Sequence, residues 1–322
     1  MKTAIALTAT LILAAQSGVV AAQGADNYPS KPIRLIVPQA PGGSNDIMAR
    51  FIGGQLGERL NRQVVVDNRP GAEGMIGSEL VARAAPDGYT MLMASTAFTM
   101  NPAVVKKLPY DPIKDFDFAA TLGRGPVLIA VGPSLQVNSI KELVALGKSK
   151  PNYITIASAG GFMHFVSAMF RSHAGFDATI ALYKGGGPAM TDVMGGHVHM
   201  AVPTAISAVP FIRTGKMKAL ATGGAKRLAS MPDVPTVAEA GLPGYEASIW
   251  WAWAATGGTP AVVINKLNTE VAAILRLPET SKRIASEGGE VEIRTPAEIR
   301  EMIKTDLVKW AKVAADAKMP KI

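Results

Sequence analysis

The groups best placed to do chemistry in this chain are backbone amides framed by glycine rather than a cluster of reactive side chains. Pro41-Gly42-Gly43 stands between an apolar run, Ile33 to Val37, and a stretch with apolar residues at Ile47, Met48, Phe51, Ile52, Leu56 and Leu60. That order reads as a buried strand, a tight turn and a helix N-terminus. The first N–H groups of a helix have no partner within it and carry partial positive charge, and glycine lets an anion approach them closely. The chemistry on offer is reversible capture of a small anion, although the same residues also suit an ordinary βα connection. The device recurs at Ser158-Ala159-Gly160-Gly161 and at Lys184-Gly185-Gly186-Gly187-Pro188, each after an apolar run and before a helical pattern. Two facing sets of such loops could close over one small ligand. Ser95 and Thr96 end the run Tyr89 to Ala94, where their hydroxyls either bond a ligand or cap the next helix. His164 follows Gly160-Gly161 by one helical step and either faces the cleft or bonds locally.

Other constellations fail on spacing or context. Gly147-Lys148-Ser149 resembles the end of a P-loop, but Glu142 stands where its first glycine belongs. There is no Gly-x-Ser-x-Gly elbow, and Ser158 has no base nearby in the sequence. His197 and His199 are two apart and would share a face on a strand, yet no further ligand is spaced to complete a metal site. The chain has no cysteine, which excludes disulfides, thiolate metal sites, catalytic thiols and a lipid-modified N-terminal cysteine. No cofactor is implied. The formal charge is +8, but no Lys/Arg-rich run occurs and only 6% of residues are aromatic, which argues against nucleic acid. A dispersed positive charge suits anionic ligands.

The elements that must position these loops can be read in order. Lys2, the apolar stretch Ala4 to Ala15 and the small residues after it form a secretion signal, residues 1–24, too short to span a bilayer. Strands are expected at Ile33 to Val37, Gln63 to Asp67 and Tyr89 to Ala94, with helices between them, so the sheet should be parallel. A second set begins near Pro126, with strands Val127 to Val131, Tyr153 to Ala157, Thr179 to Leu182, Val198 to Val202 and Met217 to Thr222. Ser139 should cap a helix, with Glu142 three residues on. Ala247 to Ala255 reads as a strand carrying Trp250, Trp251 and Trp253, whose rings suit core and hinge packing better than a ligand stack. Pro260 to Leu277 reads as a helix, and Thr295-Pro296-Ala297-Glu298 opens a long amphipathic one. These C-terminal helices should return to the first domain. The organisation expected is a two-domain α/β fold, each domain a mainly parallel sheet flanked by helices. The first domain comprises residues 25–125 and 247–322, and the second 126–246.

Several motifs in order resemble one family, the substrate-binding proteins of tripartite tricarboxylate transporters, also called Bug proteins. They are Tyr28-Pro29-Ser30-Lys31-Pro32-Ile33, Pro41-Gly42-Gly43 with Asp46 and Arg50, Asn68-Arg69-Pro70-Gly71-Ala72, Pro86-Asp87-Gly88-Tyr89-Thr90, Tyr183 to Ala189, Gly195-Gly196 and Pro232 to Gly241. The resemblance implies a monomeric periplasmic flytrap protein that binds a dicarboxylate, an acidic amino acid or an aromatic acid. Its partner would be a membrane permease or a sensor. It implies that Pro41, Gly42, Gly43 and Asp46 sit at the ligand, with Ser95, Thr96 and Ala97, Ala159, Gly160, Gly161 and His164, and Lys184, Gly185 and Gly186. Gln39, Thr204 and the loop Gly160-Gly161-Phe162-Met163, which lacks the usual Ser or Thr residues, depart from the family pattern at positions expected to choose the ligand, so ligand identity does not carry over. The alternative classes are a hydrolase or transferase with an anionic substrate, which needs a base and a nucleophile meeting in the cleft, and a sensory co-receptor without transport.

Overall fold

The computed structural model describes residues 27–316; the leader read at residues 1–24 lies outside them. Strand β1 (Ile33–Val37) leads into helix α1 (Ser44–Leu60), followed by β2 (Val64–Asn68), α2 (Met75–Ala82), β3 (Thr90–Ser95), α3 (Thr96–Val104) and β4 (Phe116–Pro126). The second set is β5 (Leu128–Val131), α4 (Ile140–Ser149), β6 (Ile154–Ser158), α5 (Gly161–Ala174), β7 (Ala178–Leu182), α6 (Gly186–Met194), β8 (Met200–Ala201), α7 (Ala205–Arg213) and β9 (Lys218–Thr222). The chain ends with β10 (Ser248–Thr256), α8 (Ala261–Leu275), α9 (Pro278–Ser286) and α10 (Pro296–Asp316).

Two five-stranded sheets result, in the orders β2-β1-β3-β10-β4 and β7-β6-β8-β5-β9. Pairing is parallel between β1 and both β2 and β3, and between β6 and both β7 and β8. One strand in each sheet, β10 or β5, runs against its neighbours. The βα order explains the parallel part, because parallel neighbours need a crossover helix. The antiparallel exceptions are strands that carry the chain between lobes. The chain leaves the first sheet at Pro126 and enters the second at Leu128, and it returns at Ser248. At the crossing, Val127 N–H donates to Ala247 O (3.1 Å), Ala247 N–H to Gly223 O (2.8 Å) and Gly223 N–H to Val127 O (2.8 Å).

Strand periodicity divides the first core into two faces. Trp251, Trp253 and Ala255 of β10 pack with β1 and helices α1 and α8, while Trp250, Ala252 and Ala254 pack with α2, α3 and α10. The tryptophans are therefore core. Ile299, Ile303 and Trp310 of α10 are buried, and its capping box forms, with Glu298 N–H donating to Thr295 Oγ1 (3.3 Å) and Thr295 N–H to Glu298 Oε2 (2.7 Å).

Three elements were absent from the sequence reading. Strand β4 ends in Gly-Arg-Gly-Pro, which reads as linker, yet these residues pair with β10 through Ser248↔Pro126. Helix α7 contains Pro210, which masked its periodicity. Helix α9 follows Pro278 directly after α8, and the proline occupies its first turn, where no N–H partner is lost. The strand expected at Val198 to Val202 is shorter, only Met200–Ala201, so His197 and His199 precede it as loop histidines, the reading favoured over a metal site. His199 Nδ1 accepts from Thr155 N–H (3.1 Å), its ring packs on Tyr153, and burial lowers its pKa.

Candidate functional site: a cavity ringed by helix N-termini

A cavity of ≈ 320 Å³ lies between the lobes. The N-terminal turns of α1, α3, α5, α6 and α7 all open on it, at Gly43–Asn45, Ser95 and Ala97, Gly160–Phe162, Gly186 and Thr204 respectively. None of these helices is capped by the side chain of its own N-cap residue; the first N–H of α5, at Gly161, donates instead to Glu73 Oε2 from the other lobe. Away from the cavity, α4 is capped by Ser139 Oγ, which accepts from Glu142 N–H at 3.1 Å. Uncapped N–H groups are the donors a helix leaves for outside partners. Each terminus carries roughly half a positive charge, and several of them aimed at one cavity make it an anion site. Hydroxyls and amides supplement them. Asn45 Nδ2 donates to Gln39 Oε1 (2.5 Å) and Ser95 Oγ (3.2 Å), and Thr204 and Ser207 hydroxyls meet at 2.9 Å.

Of the residues expected at the ligand, Gln39, Gly43, Ser95, Ala97, Ala159, Gly160, Gly161, Lys184, Gly186 and Thr204 line this cavity. The structure brings them together from both lobes. Pro41, Gly42, Asp46, Thr96, His164 and Gly185 do not line it, and each has a different task. The Thr96 hydroxyl accepts Trp250 N–H (3.1 Å), tying α3 to the crossing strand. His164 lies in the first turn of α5 off the cavity wall, with its Nδ1 buried and unpartnered. Pro41, Gly42 and Gly185 form the contact between lobes. Ala40 N–H donates to Lys184 O (3.3 Å), and the Gly42 backbone approaches Gly187 so closely that a Cβ at Gly42 would lie 3.1 Å from Gly187 Cα.

Asp46 is a brace beneath the loop. Its carboxylate accepts from Gly42 N–H (3.1 Å), Arg50 Nε (3.0 Å) and Asn68 Nδ2 (3.0 Å), and the same Asn68 amide donates to Gln39 O (3.0 Å). Burial alone would raise its pKa, but the Arg50, Gly42 and Asn68 hydrogen bonds outweigh that and hold it below the ordinary 3.8. A carboxylate depressed in the folded state stabilises the fold fully above its unfolded pKa, and the contribution is lost as pH falls through the lower folded value. Asp46→Ala is expected to cost about 2–3 kcal/mol, because a buried acceptor of three hydrogen bonds disappears. Urea unfolding at neutral pH measures the loss, and the gap from wild type should shrink below pH 3.8.

The sequence reading missed several wall residues: Asn45, Glu73, Tyr183 and Ser207, with apolar Met190 and Ile249. Asn45 and Ser207 had a signal, since each lies within a turn of a residue already suspected. Glu73 had none. Tyr183 donates to Asp192 Oδ2 (2.6 Å), and burial together with that carboxylate pushes its hydroxyl up to about 12, so it stays neutral. The wall hydroxyls Ser95 and Ser207 bond to Asn45 and Thr204, and neither bonds to a histidine or carboxylate as an activated nucleophile would.

Residues 48–318 match the model of the tripartite tricarboxylate transporter family receptor. The chain is 34% identical over 309 residues to protein BugT of Bordetella pertussis, covering 95% of each chain. Rpa4515 of R. palustris, solved with adipate, superposes with a TM-score of 0.88 at 30% identity, over 92% of this chain and 100% of that one. MatC from Rhodopseudomonas palustris, solved with bound malate, superposes at 0.84 and 30% identity, over 89% and 99%. The match over most of the chain, on a two-lobed α/β fold with a ring of helix N-termini between the lobes, makes this protein a member of the tripartite tricarboxylate transporter receptor family, which consists of periplasmic solute-binding proteins rather than enzymes.

Proposed function

We propose that the protein captures a small carboxylate between its lobes in the periplasm and presents the closed form to a tripartite-tricarboxylate-type membrane permease. The observation that carries this reading is the convergence of uncapped helix N-termini from both lobes on one cavity. Adipate and malate in the two neighbours support the ligand class. The site residues are the ten cavity-lining positions given above. The lobes correspond to residues 25–125 with 247–322, and 126–246. Residues 1–24 are the leader that directs export, and the mature protein works as a monomer. Among the described residues no helix is long and apolar enough to cross a membrane.

Ligand would favour the closed form because only there do both sets of amides reach it, and a ligand shifts such an equilibrium by its difference in affinity for the two states. Calorimetric titration of the mature protein against monocarboxylates, dicarboxylates, acidic amino acids and aromatic acids tests the reading. One class should give saturable binding with one site per chain. Flat titrations across every class would contradict it.

A further inference from the structure

The carboxylate of Glu73 already occupies one of the anion positions in the cavity. Glu73 belongs to the first lobe, yet Gly161 N–H, at the start of α5 in the second, donates to its Oε2. The turn that aims it is unusual: Ala72 and Glu73 have φ of 45° and 55°, two consecutive non-glycine residues in the left-handed region. Asn101 Nδ2 holds the Glu73 carbonyl at 3.1 Å, fixing the turn to α3. On the far side, Gly160 at φ +76° makes room, since a Cβ there would stand 2.8 Å from Glu73 Oε2. Among the described residues Glu73 takes part in no ion pair within 4.0 Å. Its negative charge is therefore met by the α5 N-terminus and remains part of the wall.

We infer that Glu73 is a specificity-determining residue that makes this a site for acids with a single carboxylate and an apolar body, and that it excludes dicarboxylates. The inference rests on the carboxylate-capture reading. With the α5 terminus taken, the donors left on the wall are the N-termini of α1, α3, α6 and α7, with Lys184 among the lining residues. They are the seat for the ligand's carboxylate in this inference. The rest of the wall is largely apolar, with Phe162, Met163, Met190, Val202 and Ile249, and it suits a hydrocarbon or aromatic body. A second ligand carboxylate directed at α5 would meet Glu73, and a like charge at that range costs at least about tenfold in affinity.

Matched pairs test this: hexanoate against adipate, and benzoate against terephthalate, titrated into wild type, Glu73→Gln and Glu73→Gly. Glutamine keeps the shape without the charge, and glycine suits the positive φ, so at least one variant retains the fold. In whichever pair binds, wild type should favour the monocarboxylate by at least about tenfold, and both variants should narrow or reverse that ratio by a similar factor. A residue that merely latched the lobes would change both affinities together and leave the ratio alone. The inference is overturned if wild type binds the dicarboxylate as tightly as its partner, or if the ratio survives both substitutions. If no acid of any class in the wider panel binds any of the three proteins, the capture reading itself fails and the inference falls with it.

Discussion

A single methyl group added at Gly187 is expected to abolish ligand capture while leaving the ligand-free protein at least as stable as before. Gly187 is the second residue of α6. A Cβ built on it would stand 2.2 Å from Pro41 O and 3.3 Å from Gly42 Cα, both in the opposite lobe. Backbone meets backbone there, so no side chain can move aside. Within its own lobe alanine is the better helix former, by about 0.5–1 kcal/mol over glycine. Gly187→Ala should therefore keep or raise the melting temperature and prevent the lobes from meeting. Affinity for the best carboxylate found by titration should fall at least about a hundredfold, which is roughly 2.7 kcal/mol. Gly54→Ala serves as control, because a Cβ there meets nothing within 4 Å, and it should bind as wild type does. Binding by Gly187→Ala within a few-fold of wild type would mean that closure does not bring these loops together.

The largest loss of stability is expected from Asp306→Ala. Asp306 lies on α10, and its Oδ2 accepts from Thr99 Oγ1 of α3 (2.5 Å), from Trp250 Nε1 of β10 (3.0 Å) and from Trp310 Nε1 (3.1 Å). All three donor side chains are buried. Truncation strands the two indole N–H groups without an acceptor, while the Thr99 hydroxyl keeps Thr96 O (3.0 Å), and each stranded buried donor costs about 1–3 kcal/mol. A total near 3–5 kcal/mol is expected, lowering the melting temperature by roughly 6–15 °C. Asp306→Asn keeps one acceptor oxygen and should lose about half as much. A loss under about 1 kcal/mol for the alanine variant would show that α10 does not lock the crossing strand to the first lobe. Ligand affinity is the second readout, since Trp250 N–H also binds the Thr96 hydroxyl at the edge of the site.

Local signals carried most of the fold. Strand β1 occupies the span its apolar run indicated, Ile33–Val37, and Ser139 and Thr295 cap the helices their spacing announced. Each depends on neighbours within one turn of chain. Strand β4 was hidden because Gly123 and Gly125 resemble linker residues. Their lack of side chains is instead a packing requirement, as a Cβ at Gly123 would come within 2.3 Å of Glu290 O. That neighbour is 167 positions away in sequence, beyond the reach of any local pattern.

The site divides along the same line. Glycine turns before helices are local, so Gly43, Gly160, Gly161 and Gly186 could be found from their own segments. The roles of Asp46, Gly187 and Glu73 depend on how segments meet. The family resemblance put Asp46 at the ligand, but Asn68 and Arg50 converge on it and make it a brace. Glu73 lies in a turn whose sequence gives no reason for its side chain to reach the other lobe. The departures Gln39 and Thr204 do line the cavity.

The most direct measurement is to titrate the best-binding acid and its primary amide into the same protein. The two differ little in size and shape, and only the acid carries negative charge. If amides at the helix termini hold an anion, replacing the carboxylate by carboxamide should weaken binding by at least about a hundredfold, since hydrogen bonds to a charged group are worth about 1.5–3 kcal/mol each. Equal affinity for the acid and its amide would mean that the convergent termini do not select for charge, and the proposed mode of capture would be wrong.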